Sequence, residues 1–582
     1  MKKWLTVLLV LALFAITACG NNSNNSNNSN NSANSPSPAN TPDNTDNTTA
    51  AEEEIDPYGA FKEKVTINFA QILPAGDAKL PPGDTFEDNV ISRFYEEELN
   101  LDLNVEWSAV GGEAYDQKVM LAIVSRDIPD MMAVNEEQLR LLVKADLVED
   151  LTEAFEKYAS PKMKQLHYEL AEGKSLATAT FDGKLYAIPG TSIKGDAITA
   201  LWLRKDWLDK LKLPEPKTID DIEKIAQAFI DNKMGGADTI GMTGPNSSEL
   251  ANEKGNRSHG FDAIFSSFHS FPRHWIKGDD GKVTYGSIEP ETKEALAKLR
   301  DWYAKGIIDK EFFLRDNPNE SFMSGKNGLF FGPWWTGWGD LTQAVERNQE
   351  AEWKAYAAPV DKDGNHVTHM QPMSNYFVVV RKGFAHPEAV IKGINTKIGV
   401  DRHAEEIPQN LYDRYMNEVV SSDVLSGFGD LFRVNTDDVN AVNNRRHAIL
   451  DYLDGKRELS TMDADTKDAA ELAKKYMDDR TVVKYYPQAI ADGLNVIQTG
   501  SFQAYVVGGA PTDNEFIEVS SLLYSPTETM KKRWANLSKL EDETFLKIIM
   551  GSAPLDDFDK FVTEWRRIGG DDIIKEVAAE IE

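Results

Sequence analysis

Between Val65 and Val134 the chain alternates strand-like and helix-like stretches with short joints, and this alternation restricts the fold more than any other feature. Val65 to Ala70 switches between apolar and polar residues, as a half-buried strand does. Thr85 to Leu99 places Ile91, Phe94, Tyr95 and Leu99 on one helical face. Leu101 to Trp107 reads as the next strand, Tyr115, Val119, Ala122 and Ile123 as a second helix, and Ile128 to Val134 as a third strand. Strand, helix, strand, helix, strand predicts an open, mainly parallel sheet covered by helices, an α/β fold. Helices are also expected over Glu136 to Lys144 and Thr152 to Tyr158. Thr218, with Asp221 three residues on, opens another, which turns Ile222, Ile225, Ala226, Phe229 and Ile230 to a core. One more begins near Pro290 and stops at Gly306. At 582 residues the chain exceeds a single core, so at least two domains are expected.

The first residues are of another kind. Lys2 and Lys3 precede an apolar run from Leu5 to Ile16 that is short for a membrane span. Ile16-Thr17-Ala18-Cys19-Gly20 then resembles the lipobox of bacterial lipoproteins, which implies a signal peptide over residues 1–19 and lipid on Cys19. Cys19 is the one cysteine of the chain, so neither an intrachain disulfide nor a cysteine-ligated metal is available. Residues 20–60 are Asn/Ser-rich, then rich in Pro, Thr and Asp, and are expected to be a disordered tether. About 40 residues of such chain reach roughly 35 Å. The folded part is therefore expected at the extracellular face of the cytoplasmic membrane, lipid-anchored. A formal charge of −31 argues against nucleic acid, or an anionic membrane surface, as the main partner.

Phe330-Phe331-Gly332-Pro333-Trp334-Trp335-Thr336-Gly337-Trp338-Gly339-Asp340 sets three tryptophans within five residues, among glycines and a proline. Gly and Pro weaken ladders and helices alike, so the expectation is a strand (Gly328 to Phe331) that ends in a turn. Rings beside small residues make a platform for a flat, partly apolar ligand, with the indole N–H as a donor. The same rings would also serve as core under a loop. On a strand, Trp334 and Trp335 would point opposite ways, with Trp334 the expected contact and Trp335 the core partner.

Several further stretches occur in a telling order. Asp127-Ile128-Pro129-Asp130 is followed by Lys184-Leu185-Tyr186-Ala187-Ile188-Pro189, then Trp202-Leu203-Arg204-Lys205-Asp206-Trp207-Leu208, Gly325-Lys326 and Gly332-Pro333-Trp334-Trp335. With the lipobox and tether before them, this ordered set resembles the lipoprotein solute-binding proteins of carbohydrate ABC importers. The family is extracellular solute-binding family 1, in its long branch for complex oligosaccharides. The resemblance implies a two-lobed, periplasmic-binding-protein-like (type II) α/β fold with the ligand cleft between the lobes. It implies lobe one from 61–189 and about 360–430, and lobe two from 190–359 and about 431–582, with crossings near Pro189 and Pro359. It also implies an oligosaccharide ligand, permease subunits of the importer as partners, and a stacking role for Trp334. The chain is expected to act as a monomer.

A sugar needs aromatic faces for its C–H patches and polar side chains for its hydroxyls. The candidates are Trp334, Trp335 and Trp338, Trp275, Trp202 with Arg204, Tyr186, Asn375, Tyr376 and Gln71. For Trp202 and Tyr376 core burial is an equal alternative, and Arg204 beside Asp206 would equally be an ion pair. Relatives in the branch often carry a calcium loop after the helix that ends here near Ile230. At Asp231 to Asp238, Lys233 and Met234 stand where oxygen ligands are wanted, so the loop reads as degenerate and no metal or cofactor is expected. Asp361 to Asn365 reads as a hairpin turn with Asp363-Gly364 at its tip. There is no His-Glu-x-x-His pair and no nucleotide-binding glycine loop. The expectation is a binding protein rather than an enzyme. A surface-anchored glycoside hydrolase, with two acids across a cleft, and a carbohydrate-adhesion lipoprotein are the alternatives.

Overall fold

The structure is a computed structural model that describes residues 55–581 apart from 75–79, 246–249, 252–257, 349, 421, 423–430 and 477–499. Cys19, the signal sequence and the tether up to residue 54 lie outside the described residues. The tether expectation overreaches at its far end. Tyr58 is buried in the first core, and the carbonyls of Pro57 and Gly59 accept from Asn395 Nδ2 (3.1 Å) and Lys392 Nζ (2.6 Å). An aromatic ring with a cavity to fill and carbonyls with donors in place tie 55–60 to the first lobe.

The first sheet runs in the order Leu101–Val110, Val65–Leu73, Met131–Val134, Phe377–Val380, Ile188–Pro189. Val65–Leu73 is parallel to both of its neighbours, while Phe377–Val380 is antiparallel to both of its own. The predicted α/β opening is therefore present, with the carboxyl ends of its strands on one side. The predicted helix from Thr85 starts later, at Val90–Leu99. Asn89 accepts from the backbone N–H groups of Ile91 (3.0 Å) and Ser92 (3.2 Å), which makes it the N-cap. The Thr218 cap stands as read: its Oγ1 accepts from Asp221 N at 3.2 Å and opens the helix Ile219–Asp231. Hydrogen bonds from the Thr218 and Lys217 backbone in turn hold the Asp221 carboxyl below its ordinary value.

The second lobe is built on a three-stranded sheet, Leu329–Gly332, Ala200–Arg204, Trp353–Tyr356, antiparallel throughout. All of Ala200–Arg204 is buried because each face has a core of its own. Leu201 and Leu203 enter one cluster with Phe229, Leu299 and Trp565, while Ala200 and Trp202 enter another with Phe330, Leu341 and Tyr505.

Among the described residues three segments join the lobes side by side. Gly190 N donates to Tyr376 O (3.0 Å), Ser192 N to Met373 O (2.8 Å), Thr191 N to Asn435 O (2.9 Å) and Lys194 N to Val439 O (2.7 Å). The run 190–194 is thus the middle segment, flanked by 373–376 and 435–439. The expected return at Pro359 is corrected to 373–376. Ala358 sits in the second lobe's core, Val360 bridges Thr218, and His366–His369 pairs in parallel with Phe516–Val519. The intervening Asp361 turn closes as read, with Asp361 N donating to Asn365 O (2.8 Å) and Gly364 at φ 88°.

Candidate functional site

Beside the 435–439 segment lies a cleft of about 690 Å³ lined by Asp196, Trp334, Trp335, Trp338, Arg402, Asp437 and Tyr505 among others. Arg402 follows the helix Pro387–Asp401 of the first lobe and the tryptophans belong to the second, so both lobes line it. The strand Leu329–Gly332 ends as expected, but Trp334–Gly337 is a turn of 3-10 helix, not strand. That changes where the two neighbouring rings point. Trp334 is 7% exposed, stacks on Tyr505 (centroids 5.4 Å, 23°) and meets Trp338 edge-on at 5.1 Å. Its indole N–H donates to Asp196 Oδ1 at 2.7 Å. Trp335, expected in the core, is instead 39% exposed. Of the glycines near the rings, Gly339 has open space and lines the cleft as expected, whereas Gly337 and Gly508 do not hold space for a ligand. A Cβ at Gly337 would stand 2.3 Å from Ala504 N, and one at Gly508 would stand 2.1 Å from Trp334 O. They let the tryptophan turn and the 503–508 segment pack backbone to backbone.

Charge beneath this cleft is paired. Asp437 accepts from Arg445 Nη2 (2.8 Å) and lies 3.2 Å from Arg402 Nη1, and Arg445 Nε reaches Asp463 at 3.2 Å. Burial raises the Asp196 carboxyl, the Trp334 N–H offsets part of this, and nearby Asp437 adds to the rise.

On the other flank, beside 373–376, a cavity of about 670 Å³ is lined by Asn135, Glu136 and Glu137 of the first lobe and by Arg273, Trp275, Tyr524 and Trp534 of the second. Asn135 follows the strand Met131–Val134, so the cavity opens at the carboxyl end of the first sheet, where open α/β sheets place their sites. Trp275 packs on Tyr285 (4.9 Å) and Trp534 (6.2 Å). Arg273 donates to Asp542 at 2.5 Å, with Glu541 Oε1 3.8 Å away. Glu541 accepts from Tyr285 and Ser287, each at 2.9 Å, and burial pushes its carboxyl up to about 7 while Arg273 pulls it down.

The structure thus gathers Trp334, Trp335 and Trp338 on one flank, and Trp275 with Asn375 on the other. Asn375 and Tyr376 are exposed on the crossing itself. Three candidates are corrected. Trp202 is fully buried, stacked at 9° on Phe330, and its N–H donates to Pro333 O (3.1 Å). Arg204 is buried in a two-pronged pair with Asp206 (2.6 and 2.5 Å) and over the Trp207 ring. Gln71 is 3% exposed within its strand, closed off from solvent. Tyr186 is half-buried against Phe181 and lines neither cavity. Tyr505, Trp534, Asp196 and Arg402 escaped the sequence reading because each reaches the site by a tertiary contact and none stands in a local pattern.

In the segment read as a degenerate calcium loop, Asp231 Oδ1 accepts from Gln227 (2.8 Å) and Asn232 Nδ2 donates to Ala228 O (2.8 Å). A triad-like set occurs elsewhere: His369 contacts Ser266 Oγ through Nδ1 (3.3 Å) and Asp262 through Nε2 (3.1 Å). All three are buried, and Ser266 lines neither junction cavity, so the hydroxyl has no path to a substrate there.

Residues 90–388 match the family model described as bacterial extracellular solute-binding protein. The chain is 28% identical over 353 residues to the fructooligosaccharide ABC transporter substrate-binding protein FusA of Streptococcus pneumoniae serotype 4, over 58% of this chain and 60% of that protein. It is 24% identical over 410 residues to the polygalacturonan/rhamnogalacturonan-binding protein YtcQ of Bacillus subtilis, over 68% of this chain and 70% of that protein. The crystal structure of S. pneumoniae FusA in complex with kestose superposes with a TM-score of 0.55 at 20% identity, over 89% of this chain and 99% of that one. That likeness establishes the two-lobed fold.

Proposed function

We propose, given that this chain belongs to the bacterial extracellular solute-binding proteins, that it captures an oligosaccharide in the cleft between its lobes and delivers it to an ABC importer. The observation that carries this reading is the pair of aromatic-lined cavities flanking the crossing segments, each lined by both lobes. Trp335, Trp338 and Trp534 offer ring faces to sugar C–H patches, with the buried Trp275 packed behind Trp534, and Asn135, Asn375 and Asn435 offer amides to hydroxyls. FusA is described as binding fructooligosaccharide and YtcQ polygalacturonan or rhamnogalacturonan, which supports the same ligand class here. The reading is of a protein that binds rather than turns over its ligand, which the description of FusA as a substrate-binding protein and of YtcQ as a polygalacturonan/rhamnogalacturonan-binding protein supports. The lipobox-like Ile16 to Cys19 supports lipid on Cys19 as the anchor, with the folded part outside the cytoplasmic membrane. Among the described residues no helix is long and apolar enough to cross a membrane.

A thermal-shift screen with neutral and acidic oligosaccharides tests the reading. A ligand at 100 times its Kd stabilises the folded state by about 2.7 kcal/mol, a clear rise in melting temperature. A screen in which no oligosaccharide moves the melt would refute it. Mass spectrometry of the N-terminal peptide from membranes reads the acylation of Cys19.

A further inference from the structure

We propose that Arg433, at the crossing between the lobes, is the residue that selects an anionic sugar, and that the ligand therefore carries a carboxylate. The inference rests on the oligosaccharide reading above and deepens it. Among the described arginines only Arg347 and Arg433 have side chains that donate no hydrogen bond to the protein. Arg347 lies on the surface of the second lobe beside Ser324 and Lys326, away from the junction. Every arginine that lines the two junction cavities is committed: Arg273 to Asp542, Arg402 to Asp437 and Arg445 to Asp437 and Asp463.

Arg433 differs in place as well as in pairing: it lines neither cavity itself, but stands two residues from Asn435, which lines one, and against Tyr376, the neighbour of Asn375, which lines the other. It immediately precedes the 435–439 crossing, and its guanidinium lies 4.8 Å from the ring centroid of Tyr376 on the opposite outer segment. Between them Gly190 of the middle segment carries no side chain, and a Cβ there would stand 2.9 Å from Asn435 O. Tyr376 is 39% exposed and directly precedes Phe377, which pairs with Val134 and Pro189 at the second-lobe end of the first sheet. The guanidinium also acts electrostatically on Tyr115, whose hydroxyl donates to Ala133 O at 3.0 Å, so its field reaches the same end of that sheet. The Arg433 backbone is left-handed, at φ 51°, a conformation that side-chain-bearing residues adopt only under local constraint.

These facts combine to one use. A guanidinium resting over an aromatic ring has less freedom to place its N–H fork than one free in solvent. Among the described residues no carboxylate pairs with it, in a protein with 94 acidic and 63 basic residues, so the fork is complementary to a planar carboxylate brought by the ligand. A hydroxyl would use one prong; a uronate would use two. Glu136 and Glu137 line the neighbouring cavity, and a neutral part of the same ligand suits them better than an acid does.

The full chain, its Arg433→Gln variant and its Arg433→Lys variant are titrated by calorimetry with three probes: a galacturonate trisaccharide, its methyl ester, and a neutral fructose trisaccharide. The native protein should bind the acid at least about tenfold more tightly than the ester, as a charge-assisted pair against a neutral one requires. Arg433→Gln should bring the acid-to-ester ratio to about one, and Arg433→Lys should fall between, since it keeps the charge but loses the fork. The ratio within each variant cancels any general loss of folded protein. Equal binding of acid and ester by the native protein, or an unchanged ratio in Arg433→Gln, overturns the proposal. Binding of the neutral trisaccharide alone overturns it too, while leaving the oligosaccharide reading intact. Binding of none of the three overturns both.

Discussion

At Trp334 the indole N–H is already committed to Asp196 and one ring face to Tyr505, whereas the neighbouring Trp335 remains 39% exposed at the same cleft. The two should respond to truncation in opposite ways. Trp334→Ala is expected to cost about 3–5 kcal/mol of stability through lost burial and a residual cavity. Trp335→Ala should leave the melt within about 0.5 kcal/mol yet weaken ligand binding by about 1–3 kcal/mol. Thermal melts and calorimetric titration of both variants check this, and a Trp335→Ala protein that binds like the native one removes that ring from the site. Glu541 gives a pH signature at the same scale. Its folded pKa, about 7, stands above its ordinary 4.5, so the folded state holds the extra proton between those values. The stability this confers is complete below the ordinary value and is lost as pH rises through about 7. Glu541→Gln should therefore lose less melting temperature than the native protein between about pH 5 and pH 8. Equal slopes would show that the carboxyl does not titrate in that window.

Among the elements, the three crossing segments carry the mechanical argument. Asp437 lies on one of them and ties Arg402, at the end of a first-lobe helix, to Arg445, within the second-lobe helix Ala441–Leu453. Arg402, Asp437 and Arg445 have side chains only 13, 11 and 8% exposed. Removing the Asp437 charge from so dry a set leaves Arg402 without its carboxylate and Arg445 with Asp463 alone, a loss of about 3–5 kcal/mol. Asp437→Asn should accordingly melt well below the native protein. Lys293→Ala, which breaks an exposed pair with Asp559, should shift the melt by less than about 1 kcal/mol. If the two variants melt alike, the Asp437 node is not what holds the crossing together.

For the whole molecule, ligand capture predicts a change of shape. Narrow crossings let the lobes move as rigid bodies, and a ligand touching both favours the closed arrangement by its differential affinity. Glu137 of the first lobe and Lys531 of the second already approach to 3.5 Å beside the Trp275 cavity. That pair is more than a third exposed on both sides and is easily screened, so it contributes little closure by itself. Small-angle scattering should show the radius of gyration fall when ligand is added, and an unchanged radius at saturation would sink the clamp.

The α/β opening, the Thr218 cap, the Pro290 start and Gly306 stop, and the turn at Asp363-Gly364 were legible in the amino-acid sequence because each depends on neighbours within a few residues. Periodicity, capping and turn chemistry are local, and a local rule acts before the chain has folded. The tryptophan run was visible too, but its geometry was not. Which ring faces the cleft follows from a 3-10 turn seated against the 503–508 segment, well over a hundred residues away in sequence. Trp202 and Arg204 could not be separated from ligand contacts by sequence, since burial on both faces of their strand depends on two cores assembled from distant segments. The return to the first lobe was misplaced for a related reason. Pro359 has the chemistry of a strand end, but the parallel pairing of His366–His369 with Phe516–Val519 keeps the chain in the second lobe until Met373. Long-range pairing and burial decide such questions, and they exist only once the whole chain has come together.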